Sequence, residues 1–251
     1  MADQRARPIE IEHIEPATCT FERRLEVLQH VPFFSALPLK TIEAINSRFR
    51  ARDFMPDEVV YFAGDPAAHL YVVAVGNVKL VRHSPSGQDV TLDVLAPGDF
   101  FGSFALLGDR HYPDTAQAQT PCCLLELDAS DFKAILESHP SVTLKVLELV
   151  AGRLVDAHEV IHHLSASPVE ARVAAALTRL AERFGEQRPE GLVIQMPLSR
   201  QDVAELTGMT TETVSRVMSR LRKQGVIDSG REWVSITDPD RLRDIAGLKP
   251  R

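Results

Sequence analysis

Along the chain, the spacing of apolar positions changes character several times. Residues Met1 to about Thr20 are polar and show no periodicity, which predicts a flexible tail over 1–20. Leu25 to Phe49 predicts two helical pieces separated by Val31-Pro32 and Pro38, the second with Ile42, Ile45 and Phe49 at helical spacing. From Arg50 to Asp128 the pattern becomes short apolar runs punctuated by Gly and Pro. These are Glu58 to Phe62, Leu70 to Val75, Val78 to Arg82, Val90 to Leu95 and Ala116 to Leu127, with hairpin signals at Gly76-Asn77 and Ser84-Pro-Ser-Gly87. Many short strands at this spacing predict an antiparallel β-roll, a fold able to enclose a small-molecule pocket.

Helical spacing returns with a short helix over Ala129 to Ser138 and, after Pro140, a long helical run to about Leu164. Here Leu147, Leu154 and Ile161 recur every seven residues, as do Val150, Ala157 and Leu164. An a/d seam of this kind predicts a two-stranded coiled coil, hence a homodimer, rather than a helix packed only on its own domain. Ser165-Ala-Ser-Pro168 breaks the run. Beyond it, Val173, Leu177, Leu180 and Phe184 share one helix face, and Leu192 to Met196 reads as a strand.

The stretch Leu198 to Gly225 predicts two short helices around a tight turn. Ser199 is placed as N-cap, Val203, Ala204 and Leu206 form an apolar face, and Gly208 supplies the turn. A second helix opens at Thr210 or Thr211, turns Val214, Val217, Met218 and Leu221 inward, and stops at Gly225. Its other side carries Glu212, Ser215, Arg216 and Arg220, groups suited to base edges and phosphates. That is the layout of a helix-turn-helix reading a major groove. Val226-Ile227 and Trp233 to Ile236, joined by Ser229-Gly230, add the hairpin of a winged helix, and Thr237-Asp-Pro-Asp240 caps a last short helix.

The 251 residues predict two compact domains in an α+β chain: a β-roll over 21–138, a dimerisation helix over 139–165 and a winged helix-turn-helix over 166–251. A formal net charge of -7 argues against a surface uniformly coated for polyanions, but binding to DNA depends on a local patch. Arg216, Arg220, Arg222 and Lys223 form such a patch with no acid between them. No apolar run is long enough to span a bilayer, so a cytoplasmic location with no membrane partner is expected. The three cysteines, Cys19, Cys122 and Cys123, offer no framework of spaced pairs and fit a reducing compartment. Cys122 and Cys123 read as buried, inert thiols. An enzymatic β-roll would need clustered His and Glu ligands on its strands; His69, His83 and His111 do not form that pattern, so no enzyme is expected.

A β-roll, a long helix and a winged helix-turn-helix together resemble the CRP/FNR family of bacterial transcription regulators. The motifs that carry the resemblance are Leu198-Ser-Arg-Gln-Asp-Val-Ala, Glu212-Thr-Val-Ser-Arg216, Pro97-Gly-Asp-Phe-Phe-Gly102 and the Gly64-Asp65-Pro66 turn. The resemblance implies a homodimer that binds a palindromic double-stranded DNA site and works with RNA polymerase. The Glu-x-x-Ser-Arg pattern is similar to the FNR branch, which implies a TTGAT-type half-site contacted by Glu212, Ser215 and Arg216. By the same likeness Ser199, Arg200, Thr210 and Thr213, with Arg220, would contact phosphates.

The effector is less defined. Cyclic-nucleotide-binding relatives hold the phosphate with a Gly-Glu and Arg-Ser-Ala cassette, whereas this chain has Gly102-Ser103 and Asp114-Thr115-Ala116. A carboxylate in the phosphate-binding position repels an anion, which disfavours cyclic AMP. Matching positions imply that Gly102, Ser103, Asp114, Thr115 and His158 surround an effector pocket. Three cysteines cannot complete a four-cysteine iron-sulfur site. Haem stays open as a cofactor, with nine histidines as candidate axial ligands.

Overall fold

A computed structural model describes residue 9 and residues 19–83, 89–103, 111–189 and 191–248, without the side chains of 163 and 164. The predicted Ser84–Gly87 turn, most of the 1–20 tail and the Leu164 side chain lie outside the described residues. Contacts divide the chain into two compact units. The larger runs through Arg82, resumes at Leu92 and ends at Asp156; the other includes Ala157 to the C-terminus.

The larger unit opens with α1 (Phe21–His30) and α2 (Leu39–Asn46). Thr20 caps α1, its hydroxyl accepting from the Arg23 N–H at 3.2 Å, so the helix begins four residues earlier than its periodicity predicts. Eight strands follow: β1 (Arg50–Phe54), β2 (Val59–Tyr61), β3 (His69–Val75), β4 (Val78–His83), β5 (Asp89–Leu95), β6 (Phe100–Gly102), β7 (Thr115–Ala118) and β8 (Cys122–Asp128). They form two four-stranded sheets, ordered β1-β8-β3-β6 and β2-β7-β4-β5. The recorded pairings within both are antiparallel, as the β-roll reading requires.

Strand β8 lies between β1 and β3 and is buried on both faces. Because side chains alternate along a strand, Cys122 and Leu124 enter the roll interior with Tyr61, Tyr71, Phe101 and Tyr112. Cys123, Leu125 and Leu127 enter a second core with the helices that flank the roll. That second core contains Leu28 of α1, Ile42 and Ile45 of α2, Phe132 and Ile135 of α3 (Ala129–Ser138), and Val142 and Val146 of α4 (Pro140–Ala166). One expectation fails here. Cys123 is not a free thiol but is bonded to Cys19, with the two Cα atoms 6.5 Å apart and the two residues separated by 104 positions in sequence. Only the fold brings β8 beside the start of α1, so no spacing of cysteines along the chain signals the pair. The described end of the predicted tail is therefore held, and Ile9 is buried with Val193 and Trp233.

Helix α4 presents two different sides. Val142, Val146, Leu149 and Val150 pack on the core of their own unit. Arg153 lies over the Phe100 ring, 4.1 Å from its centroid, and donates to the Phe100 carbonyl at 2.8 Å. Leu147, Leu154 and Ile161 are 65%, 58% and 59% exposed, and Leu144 and Val155 are exposed as well. The two heptad rows thus separate: the Leu147 row is open, while Val150 of the other row serves the unit's own core.

In the second unit, α5 (Val169–Phe184) buries all four residues of its predicted face. The sheet order is β11-β12-β10-β9, from β9 (Gly185–Arg188), β10 (Gly191–Ile194), β11 (Ile227–Gly230) and β12 (Trp233–Ile236). Strand β9 has no apolar alternation, since Gly-Glu-Gln-Arg is polar and pairs only along the edge of β10. Helices α6 (Arg200–Thr207), α7 (Thr211–Lys223) and α8 (Pro239–Ala246) complete the unit.

Candidate nucleic-acid interface

The helix-turn-helix is assembled by local rules. Ser199 caps α6 in a reciprocal box: its hydroxyl accepts from the Asp202 N–H at 3.1 Å, and its own N–H donates to Asp202 Oδ2 at 2.8 Å. Gly208 takes the left-handed conformation at φ 62°, and the Met209 N–H returns to the Ala204 carbonyl at 3.0 Å. Thr210 then caps α7, accepting from the Thr213 N–H at 3.3 Å. The inner face of α6 differs from expectation in one position. Thr207 is buried, its hydroxyl donating to the Val203 carbonyl at 2.6 Å, whereas Leu206 is half-buried.

Helix α7 turns Val214, Val217, Met218 and Leu221 into the core, as expected. The opposite side presents Glu212 and Arg216 as an ion pair one helical turn apart, with 74% and 72% of their side chains exposed. Ser215 is half-buried beside them, and its carbonyl accepts from Arg200 Nη1 at 3.1 Å. Arg200 therefore ties α6 to α7 with one of its donors. The Thr210 and Thr213 hydroxyls hydrogen-bond to each other at 2.9 Å.

The basic patch is less open than the chain order implies. Arg220 pairs with Glu170 of α5 at 3.1 Å, and Arg222 pairs with Asp228 of β11 at 2.9 Å. Tertiary structure brings acids from both sides to a run that contains none. Such exposed pairs are weak and can yield to a phosphate. Ser219 and Lys223 continue the exposed stripe that begins at Glu212 and Arg216, and Arg231 is exposed at the turn between β11 and β12. Helical spacing from Arg216 signals the first two. Arg231 becomes evident only once the hairpin is closed by Glu232 at φ 62°.

The predicted effector residues divide between the units. Gly102, Ser103, Asp114 and Thr115 lie in the roll, while His158 is exposed on α4 and falls in the second unit. Gly102 has φ +91°, and a Cβ there would stand 2.7 Å from the His69 carbonyl. Thr115 is spent on structure, its hydroxyl accepting from the Ala63 N–H at 3.0 Å. Ser103 is 3% exposed, and its hydroxyl has no hydrogen-bond partner among the described residues.

Asp114 accepts from the Tyr61 hydroxyl at 3.2 Å, and burial raises its pKa above the ordinary aspartate value. Tyr61 in turn stacks on Tyr112 with ring centroids 3.7 Å apart, and Tyr71 stacks on Phe101 at 5.2 Å. Burial raises the pKa of both Tyr61 and Tyr71, so these rings are neutral apolar filling with polar tips.

The half-buried Asp114 carboxylate and the stacked phenols described in this interior do not suit a cyclic nucleotide phosphate. Nor does a four-cysteine cluster fit: Cys19 and Cys123 are joined, and Cys122 is buried with its Sγ 3.0 Å from the Asn77 carbonyl and its pKa pushed up to about 11 by burial. His69 and His83 turn Nδ1 to carboxylates, Asp128 at 3.1 Å and Asp89 at 2.6 Å. The described residues contain no group of three or more potential metal ligands.

Comparison with known proteins matches two parts of the chain to family models. Residues 51–139 match the cyclic nucleotide-binding domain, and residues 171–245 match the Crp-like helix-turn-helix domain. The chain is 32% identical over 215 residues to the cyclic AMP receptor protein of Thermus thermophilus, covering 86% of this chain and 96% of that one. It is 30% identical over 193 residues to the global nitrogen regulator of Synechocystis, covering 75% and 85% of the two chains. The fold is similar to the structure of FixK2 from Bradyrhizobium japonicum, with a TM-score of 0.72, 24% identity and coverage of 80% and 99%. Fold, interface and relatives together define a DNA-binding transcription regulator with a cyclic-nucleotide-binding-type domain. The chain belongs to the CRP/FNR family.

Proposed function

We propose that this regulator is a homodimer that reads a palindromic, TTGAT-type DNA site. The observation that carries the reading is the open side of α7, where Glu212 and Arg216 project beside Ser215 while the apolar side is fully spent on the core. Arg216 is suited to the O6 and N7 of a guanine, and Glu212 to an amino group of cytosine or adenine. Ser199, Arg200, Thr210, Thr213 and Arg220 surround that side and serve phosphates, which fixes register without specifying sequence. The exposed row Leu144, Leu147, Leu154 and Ile161 on α4 is the seam for a second copy, joined by Ala157 and His158 on the same open stretch. A dimer places two α7 helices about 34 Å apart, one DNA turn, and so demands a two-fold site.

The effector in this reading is not a cyclic nucleotide, since Asp114 and the tyrosine stack stand where an anion would need a cation. RNA polymerase is the protein partner that the family implies. The test is equilibrium binding to duplexes carrying the TTGAT palindrome, one half-site alone, or a palindrome with its guanines replaced, at two or more salt concentrations. The intact palindrome is expected to bind at least tenfold more tightly than either control. Equal binding to all three would refute the sequence assignment.

A further inference from the structure

Besides the DNA-reading surface, the larger unit contains one chemical feature with no part in reading a base. Cys19 stands directly before Thr20, the residue that caps α1, and its sulfur is bonded to Cys123 near the start of β8. Cys123 is fully buried, in the core shared by Leu28 of α1 and by Val142 and Val146 at the root of α4. Cys19 is only partly buried. The neighbouring Cys122 takes no part: it points into the roll interior, and its sulfur contacts the carbonyls of Asn77 and Thr120.

We propose that Cys19 and Cys123 form a reversible redox latch, which pins the start of α1 to the roll when oxidised and releases it when reduced. The proposal rests on the DNA-binding reading in one respect. A protein working on DNA among cellular thiols meets a reducing pool, where disulfides are characteristically transient and redox-sensing. The asymmetry of the pair suits switching, because an incoming reagent can reach Cys19 while Cys123 stays enclosed. The core that the bond touches is also the one that seats α4, the helix leading toward the DNA-binding unit.

The chemistry balances with a peroxide as oxidant and a dithiol as reductant. The Cys19 thiolate attacks one peroxide oxygen, the O–O bond breaks, and water leaves once the departing hydroxide is protonated. Cys123 sulfur then attacks the resulting Cys19 sulfenic acid, forming the S–S bond and releasing a second water. Two thiols lose two electrons, and one hydrogen peroxide becomes two waters. In reverse, a dithiol thiolate attacks the Cys19 sulfur and displaces Cys123 thiolate. The second thiol of the reagent then closes its own ring and frees Cys19.

The full-length protein tests this directly. After hydrogen peroxide, alkylation in denaturant followed by mass spectrometry is expected to find one free thiol, Cys122, and after dithiothreitol three, with full interconversion. Trypsin is expected to cut at Arg23 or Arg24 in α1 at least threefold faster in the reduced form. Affinity for the target palindrome is expected to differ at least threefold between the two forms of the wild type, and not at all in Cys19→Ser. Three free thiols after both treatments, or a bond involving Cys122, would overturn the latch. So would identical trypsin cutting, or identical DNA affinity in both forms of a DNA-binding protein. If neither form binds any palindrome, the DNA-site reading fails instead, and the thiol count and cutting rate still decide whether the latch exists.

Discussion

Replacing Arg216 by Ala separates base reading from simple charge attraction. In the free protein Arg216 is held by Glu212 one turn away, with both side chains mostly exposed. An exposed pair of this geometry contributes about 0.3–0.5 kcal/mol to the helix, so the substitution leaves folding almost unchanged. On DNA, Arg216 must leave Glu212 and grip a guanine, a contact worth about 1–3 kcal/mol of discrimination per copy. Two copies in a dimer raise this to about 2–6 kcal/mol, less about 0.6–1 kcal/mol for the two intrahelical pairs that no longer need to open. Affinity for the palindrome should therefore fall at least about fivefold. Binding to unrelated duplex should lose only the two phosphate-neutralising charges, lowering the salt slope by about 2. Fluorescence anisotropy with labelled duplexes over a salt series measures both quantities. A uniform loss on all sequences would show that Arg216 meets a phosphate, and the assignment of α7 as the base-reading helix would fail.

Other substitutions probe the parts that support this surface. Leu154→Asp, on the open side of α4, should give a folded monomer in analytical ultracentrifugation, whereas Val150→Asp should lower thermal stability because Val150 packs in its own core. A dimer unaffected by Leu154→Asp would place the seam elsewhere. Gly102→Ala forces a side chain into a left-handed backbone and against the His69 carbonyl, and should destabilise the larger unit by about 1–3 kcal/mol in urea unfolding. The Asp114 carboxyl has its pKa raised by burial, so the folded state holds this proton more tightly than the unfolded chain. Its contribution is complete below the ordinary aspartate range and is lost as pH rises from that range through the raised folded value. Asp114→Asn should remove that downward slope; an unchanged pH profile of unfolding would refute the account of how burial acts on Asp114.

What the sequence determines here is whatever short-range rules dictate. The Ser199 cap, the Gly208 turn and the spacing of Val214, Val217, Met218 and Leu221 define the helix-turn-helix without help from distant residues. Apolar runs likewise signal six strands of the roll, but not β6 or β1, whose Arg-Ala-Arg-Asp-Phe sequence buries only Phe54. Thr207 replaces Leu206 on the inner face of α6 because its hydroxyl can bond the preceding turn, an option hydrophobicity does not register. Strand β9 escapes notice for a similar reason, since its Gly-Glu-Gln-Arg sequence is polar and takes its form from pairing with β10.

The remaining features depend on chain segments that meet only after folding. The four cations of α7 look unopposed in order, yet Glu170 and Asp228 arrive from other elements to pair two of them. Val150 is withdrawn from its heptad row because the roll offers it a core, while Ala157 of the same row stays exposed. Asp114 reads as a bare carboxylate until Tyr61 is laid against it under a stack of rings. Cys19 and Cys123 lie 104 residues apart, and nothing in their spacing joins them. Short-range capping and periodicity thus specify the elements and the DNA-reading side chains. Burial and partners across long sequence separations decide which charges stay open and which apolar row stays exposed, because they are properties of packed surfaces rather than of neighbours along the chain.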